Sequence, residues 1–169
     1  QNSRWYTGSG IYRNVNLFVG ELIQIPVNGL RITTLEAEED FAIVEFVTTV
    51  LNQTRRKEKL HVQIEMLDEE GRLIKDMVHL TAFGNSEYQV RQTLTIPNPR
   101  SWSCDTPHLY SCKVKISGEE KTWDTSHMEF GIRRITLDSI HGLRLNGKPV
   151  KLRGTCIHHD NGILGAATY

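Results

Sequence analysis

The stretch KLHVQIEML places an apolar side chain at every second position. Leu60, Val62, Ile64 and Met66 alternate with His61, Gln63 and Glu65. Successive side chains of an extended strand point to opposite faces, so this spacing specifies a half-buried β-strand rather than an amphipathic helix. LYSCKVKIS repeats the pattern, with Ser111, Lys113 and Lys115 on its polar side. VRQTLTI and RLIKDMVHL are weaker versions. FAIVEFVTTVL is apolar on both faces, which suits a strand in the middle of a packed sheet.

Turn signals separate these runs: Pro26-Val-Asn-Gly29, Leu51-Asn-Gln-Thr54, Asp68-Glu-Glu-Gly71 and Pro97-Asn-Pro99. No helix-length amphipathic segment lies between them. Strands at this spacing predict an all-β fold, an immunoglobulin-like antiparallel β-sandwich of about seven strands between roughly Val15 and Arg133. Tyr110, two residues before Cys112 at the start of a late strand, has the placement of a tyrosine corner. The strand from Phe41 to Leu51 contains no cysteine, so the inter-sheet disulfide of antibody domains is excluded.

The chain has three cysteines, too few for a complete disulfide framework. Cys104 and Cys112 are close enough to pair across a turn. Cys112, however, alternates with Tyr110, Val114 and Ile116, which favours a buried free thiol.

Further along, Leu145-Asn-Gly-Lys148 is a hairpin signal between short apolar runs, so a C-terminal β-hairpin tail is expected to lead away from the sandwich. The terminal NGILGAATY is too short to bury a core alone and reads as the opening of another domain. QNSRWYTGSG lacks the basic start and apolar run of a secretory signal. Both ends are therefore expected to lie inside a longer chain, and residues from about Arg153 onward to be mobile without their packing partners.

Charge narrows the partners. Lys and Arg total 20, as do Asp and Glu, so no net field favours nucleic acid or an anionic membrane. No run approaches the roughly 20 apolar residues of a membrane-spanning helix. The acidic clusters at Glu36 to Asp40, Asp68 to Glu70 and Glu119-Glu120 fall at strand ends and are expected to be solvated. Arg55-Arg56-Lys57 has the character of an exposed turn, with no interleaved aromatics for nucleic acid.

The densest polar cluster is LRGTCIHHDNG, residues 152–162. Cys156, His158, His159 and Asp160 are suitable metal ligands by type, but neither paired spacing of closed zinc sites occurs and adjacent histidines diverge on an extended segment. Cys156 beside His158 lacks the local signatures of thiol proteases. No metal and no cofactor is expected. A polar pocket remains, against a loop that only satisfies its own backbone.

Three stretches in order carry a resemblance. SRWYTGSGIYRNVNLFV at 3–19, SWSCDTPHLYSCKVKI from Ser101, and FGIRRITLDSIHGLRLNGKPVKLRGTCIHHDNGILGAA at 130–167 together resemble glycoside hydrolase family 2, the family of β-galactosidases, β-glucuronidases and β-mannosidases. The resemblance implies that residues 1–14 end a sugar-binding jelly roll and that 15–134 are the immunoglobulin-like sandwich. It further implies that 135–169 are a hairpin and the entry into a catalytic (β/α)8 barrel. His158 matches a family histidine that contacts the sugar, with His159 and Asp160 as further substrate-binding candidates. Cys156 and His159 depart from the commoner Asn and acid at their positions, and the His-His-Asp version resembles a branch of β-galactosidase-like members.

Retaining glycosidases of this kind need two carboxylates about 5–5.5 Å apart. The family carries both as glutamates on later barrel strands, so the chain by itself is expected to be inactive. The implied role is a scaffold in a larger exo-β-glycosidase acting on carbohydrates. Two other readings stay open: a stand-alone carbohydrate-binding module using Trp102 or Trp123, and an adhesive interaction sandwich. An aromatic platform would favour the first, and an exposed apolar patch together with natural termini near Gln1 and Tyr169 the second.

Overall fold

In the computed structural model, residue 11 and residues 13–156 are described. Residues 20–150 form one compact unit. The described parts of a second unit, residues 11, 13–19 and 151–156, are exposed and hold no strand. Most of the segment expected to be mobile therefore lies outside the described residues.

Eight strands build the sandwich: β1 (Ile23–Gln24), β2 (Leu30–Ala37), β3 (Phe41–Asn52), β4 (Glu58–Leu67), β5 (Leu73–Ala82), β6 (Ser86–Pro97), β7 (Tyr110–Ser117) and β8 (Thr122–Phe130). β3 is the centre of the first sheet. It pairs with β6 along its whole length, while β2 and the short β1 share its other side. This position explains why FAIVEFVTTVL has no polar face. The second sheet runs β5-β4-β7-β8, all antiparallel. β2 and β8, which no single run of alternation singled out, complete the sandwich.

The core follows the alternation. Leu60, Val62, Ile64 and Met66 of β4 lie beside Cys112, Val114 and Ile116 of β7 on the inner face of the second sheet and share one core with Val44, Phe46 and Val50 of the first, all buried. An aromatic series replaces the missing disulfide: Phe46 of β3 meets Phe130 of β8 edge-to-face at 5.7 Å, and Phe130 meets Tyr110 of β7 at 5.8 Å. Such contacts contribute about 0.5–1.5 kcal/mol each beyond area burial. The Tyr110 hydroxyl accepts a hydrogen bond from the Arg100 backbone N–H at 2.8 Å, which makes it a tyrosine corner. All three cysteines are free, with Cys112 buried and Cys104 exposed.

Polar groups inside the sandwich serve its edges. Asp76 points inward from edge strand β5 and accepts a bond from Gln92 Nε2 of β6 at 3.0 Å. An inward carboxylate on an edge strand discourages pairing with another chain. Buried Asn52 ties down the loop after β3: its Nδ2 donates to the carbonyls of Arg56 and Ala82, and its Oδ1 accepts from Thr54.

The predicted hairpin forms as part of a third sheet, β9 (Ile135–Asp138), β10 (Gly142–Leu145) and β11 (Lys148–Pro149). Its turn holds Asn146 and Gly147 at φ 49° and 75°, the left-handed pair that an Asn-Gly turn supplies at least cost. Rather than leading away, this sheet belongs to the same compact unit as the sandwich.

Candidate functional site

The hairpin is fastened to the sandwich by residues from three separate motifs. Asn146 Nδ2 donates to the Trp102 carbonyl at 2.9 Å, and Asn146 Oδ1 accepts from the Arg134 backbone N–H at 2.9 Å. The Asn146 N–H in turn donates to the Arg134 carbonyl at 2.8 Å, and the Trp102 N–H to that of Ile132 at 2.8 Å. Arg133 lays its guanidinium over the Trp102 ring, 4.8 Å from the centroid. A Cβ on Gly131 would fall 2.7 Å from that of Trp102, so only glycine allows this approach. The F-G-x-R, S-W-S and L-N-G-K-P stretches are thus one physical joint.

Around the joint lies a groove of about 600 Å³ between edge strands β2 and β8. Ile32, Trp102, Leu109, Arg133 and Ile135 are among its lining residues. The third sheet continues from it with an inverted pattern. Ile135 and Leu137 of β9 are 59% and 76% exposed, whereas Thr136 between them is half-buried. Their cross-strand partners on β10 are Leu145 and Leu143, which places four aliphatic side chains on one face. Leu143 and Leu145 are half-buried, so Ile135 and Leu137 form the exposed part of this face.

A second groove, of about 450 Å³, opens where β4 and β7 part. Glu69 there meets His108 Nε2 at 2.7 Å and an Arg100 guanidinium nitrogen at 3.6 Å. Asp68 beside it is spent: its carboxylate accepts from the N–H groups of Glu70 and Arg72 and from Arg72 Nε. Burial pushes that carboxyl up, but the Arg72 and Glu70 hydrogen bonds outweigh it and hold its pKa below the ordinary value. The expectation of a fully solvated acidic turn fails here, because this turn uses Asp68 as its own buried cap. With Asp68 so engaged, this cluster does not supply the carboxylate pair of a glycosidase. Sequence reading missed the Glu69–His108 pair, since nothing in the spacing brings residue 108 back to residue 69.

Among the described residues, Trp102 and Trp123 do not form a platform. Trp102 is covered by Arg133, and Trp123 has the Lys121 ammonium 3.9 Å from its centroid. Among the described residues neither ring stacks on another aromatic. His158, His159 and Asp160 lie outside the described residues. Cys156 is exposed and free. No described helix is long and apolar enough to cross a membrane.

Comparison with known proteins identifies the family of the chain. The family profile described as "Glycosyl hydrolases family 2" matches residues 25–133. The chain is 38% identical over 167 residues to the β-galactosidase BoGH2A of Bacteroides ovatus, covering 98% of this chain and 20% of that protein. A putative β-glucuronidase of Formosa agariphila is 28% identical, with 98% of this chain and 15% of that protein covered. A solved family 2 glycosyl hydrolase from Bacteroides cellulosilyticus superposes with TM-score 0.87 at 33% identity, over 100% of this chain and 23% of its own. The chain thus spans about a fifth of the relatives it matches. With its profile match running from residue 25 to residue 133, more than half of the chain, this chain belongs to glycosyl hydrolase family 2.

Proposed function

We propose that these residues form a non-catalytic scaffold domain of a larger retaining exo-β-glycosidase of β-galactosidase type. The sandwich holds a sugar-binding jelly roll and a catalytic (β/α)8 barrel of the same chain in register. The observation that carries this is the aliphatic face of the third sheet, with Ile135 and Leu137 exposed beside half-buried Leu143 and Leu145, joined to the sandwich through Asn146 and Trp102. A domain that works by holding others needs a stiff joint and an apolar surface more than a pocket with reactive groups.

In the complete enzyme His158 contacts the sugar, with His159 and Asp160 as further hydrogen-bonding groups. A loop of imidazoles and a carboxylate can orient sugar hydroxyls. The substrate is a carbohydrate, and the two reacting carboxylates come from the barrel.

Reading the coding DNA beyond the codon for Tyr169 tests this directly. A barrel-length continuation holding an Asn-Glu pair and a second glutamate supports the assignment, and a stop codon there overturns it. In the continued protein, His158→Ala should raise KM or lower kcat for an aryl β-galactoside while leaving folding intact.

A further inference from the structure

The outer face of the second sheet carries a feature that the scaffold role does not use. His61 of β4 and His79 of β5 stand directly opposite each other in the antiparallel register. Their ring centroids are 4.5 Å apart, with planes inclined at 75°. His61 Nδ1 is buried without a hydrogen-bond partner, while His79 is exposed at the edge of the sheet.

We propose that His61 and His79 form a two-imidazole clamp for a divalent transition-metal ion of tetragonal preference, Cu²⁺ or Ni²⁺. An imidazole bonded to such an ion at about 2.0 Å places its ring centroid about 3.2 Å from the metal. Two such rings in cis positions, about 90° apart, then have centroids about 4.5 Å from each other, whereas a tetrahedral angle would spread them to about 5.2 Å. The observed separation is the cis value. The orphaned His61 nitrogen offers one lone pair, and rotation of exposed His79 brings the second to the same ion.

The neighbours set the selectivity. Lys59 and Lys115 share this outer face by the alternation of β4 and β7. Their charge and the lack of carboxylate ligands at the clamp disfavour hard cations such as Mg²⁺ and Ca²⁺, which need oxygen donors. Among the described residues no group of three or more His, Cys, Asp and Glu is placed to hold a metal. Water therefore completes the coordination, and the ion is exchangeable rather than structural.

The test is calorimetric titration of the untagged 169-residue chain, carrying Cys104→Ser and Cys156→Ser because both thiols are exposed and would react with Cu²⁺, with CuCl₂ and NiCl₂, and with MgCl₂ as the control. Saturation by one Cu²⁺ at this site is expected, with an electron paramagnetic resonance spectrum showing two coupled nitrogens and no response to Mg²⁺. His79→Gln and His61→Gln should each weaken binding by roughly tenfold or more. His127→Gln, on the same face of β8, and the double variant His158→Gln with His159→Gln should leave that binding unchanged. His79 is exposed, so its variant decides the matter even if His61→Gln does not fold. Binding that persists in His79→Gln, or no saturable uptake, overturns the proposal.

Discussion

Asn146 and Trp102 are 44 residues apart in sequence, yet the Asn146 side-chain amide bonds the Trp102 carbonyl at 2.9 Å. That single contact turns a two-residue hairpin turn into the latch between the third sheet and the sandwich. Both halves of the asparagine are used, since its oxygen accepts from Arg134, and its backbone occupies the left-handed region at φ 49°. Asparagine is one of the few residues that tolerates that conformation while offering a donor and an acceptor.

Replacing it should therefore cost more than an exposed turn residue normally does. Asn146→Ala loses two side-chain hydrogen bonds and strains the turn, for about 2–3 kcal/mol in all. Asn146→Gly keeps the turn and loses only the bonds, about 1–2 kcal/mol. Urea denaturation of the three proteins measures both values, and equal losses for the two variants would remove strain from the account.

The thiols give a second check. Burial pushes the Cys112 thiol up to about 11, only partly offset by a hydrogen bond with the Met128 backbone. Cys104 and Cys156 are exposed. An aromatic disulfide reagent at neutral pH should label two thiols at once and the third only as the chain unfolds. Because the folded value lies above the ordinary one of 9.0, the stability linked to Cys112 is complete below pH 9 and lost as pH rises toward about 11. Cys112→Val should flatten that alkaline decline, although Tyr110, also raised by its burial, contributes at higher pH.

Acid should act through the turn between β4 and β5. The Asp68 carboxyl lies below its ordinary value of 3.8 in the folded chain, because hydrogen bonds from Arg72 and Glu70 outweigh desolvation. A depressed acid stabilises the fold above the unfolded value, and that contribution disappears as pH falls through the folded one. Asp68→Asn should lower stability at pH 7 and lessen its fall below about pH 4. Thermal unfolding at pH 7, 4 and 2 separates the two effects, and parallel losses at every pH would show that the charge is irrelevant.

How much of this was legible beforehand depended on whether a signal was local. Alternation in β4 and β7 reported their faces correctly because each strand has one wet side. The turn at Asn146 was legible for the same reason, since Asn-Gly determines its own backbone. The joint was not, because nothing in the spacing of Trp102, Gly131 and Asn146 states that they meet. The same holds for Glu69 and His108, and for the inward Asp76, whose role depends on β6 lying opposite. The proposed sugar contacts at His158, His159 and Asp160 rest on resemblance alone.

The aliphatic face of the third sheet offers a last prediction, and its sign separates two physical pictures. Leu137 is 76% exposed. If the face is open in this chain, Leu137→Asp removes nothing buried and stability should change by less than about 0.5 kcal/mol. Binding of an apolar dye such as ANS should fall at the same time, because one side of the patch becomes charged. If, as proposed, a barrel of a longer protein docks on this face, the same substitution would bury a carboxylate against that domain. It should then lower the melting temperature and loosen the hairpin to proteolysis, since an unpaired charge at a buried contact is costly. A loss of several kcal/mol in the 169-residue chain alone would mean that Leu137 is already covered there, and the docking role of this face would fall with that result.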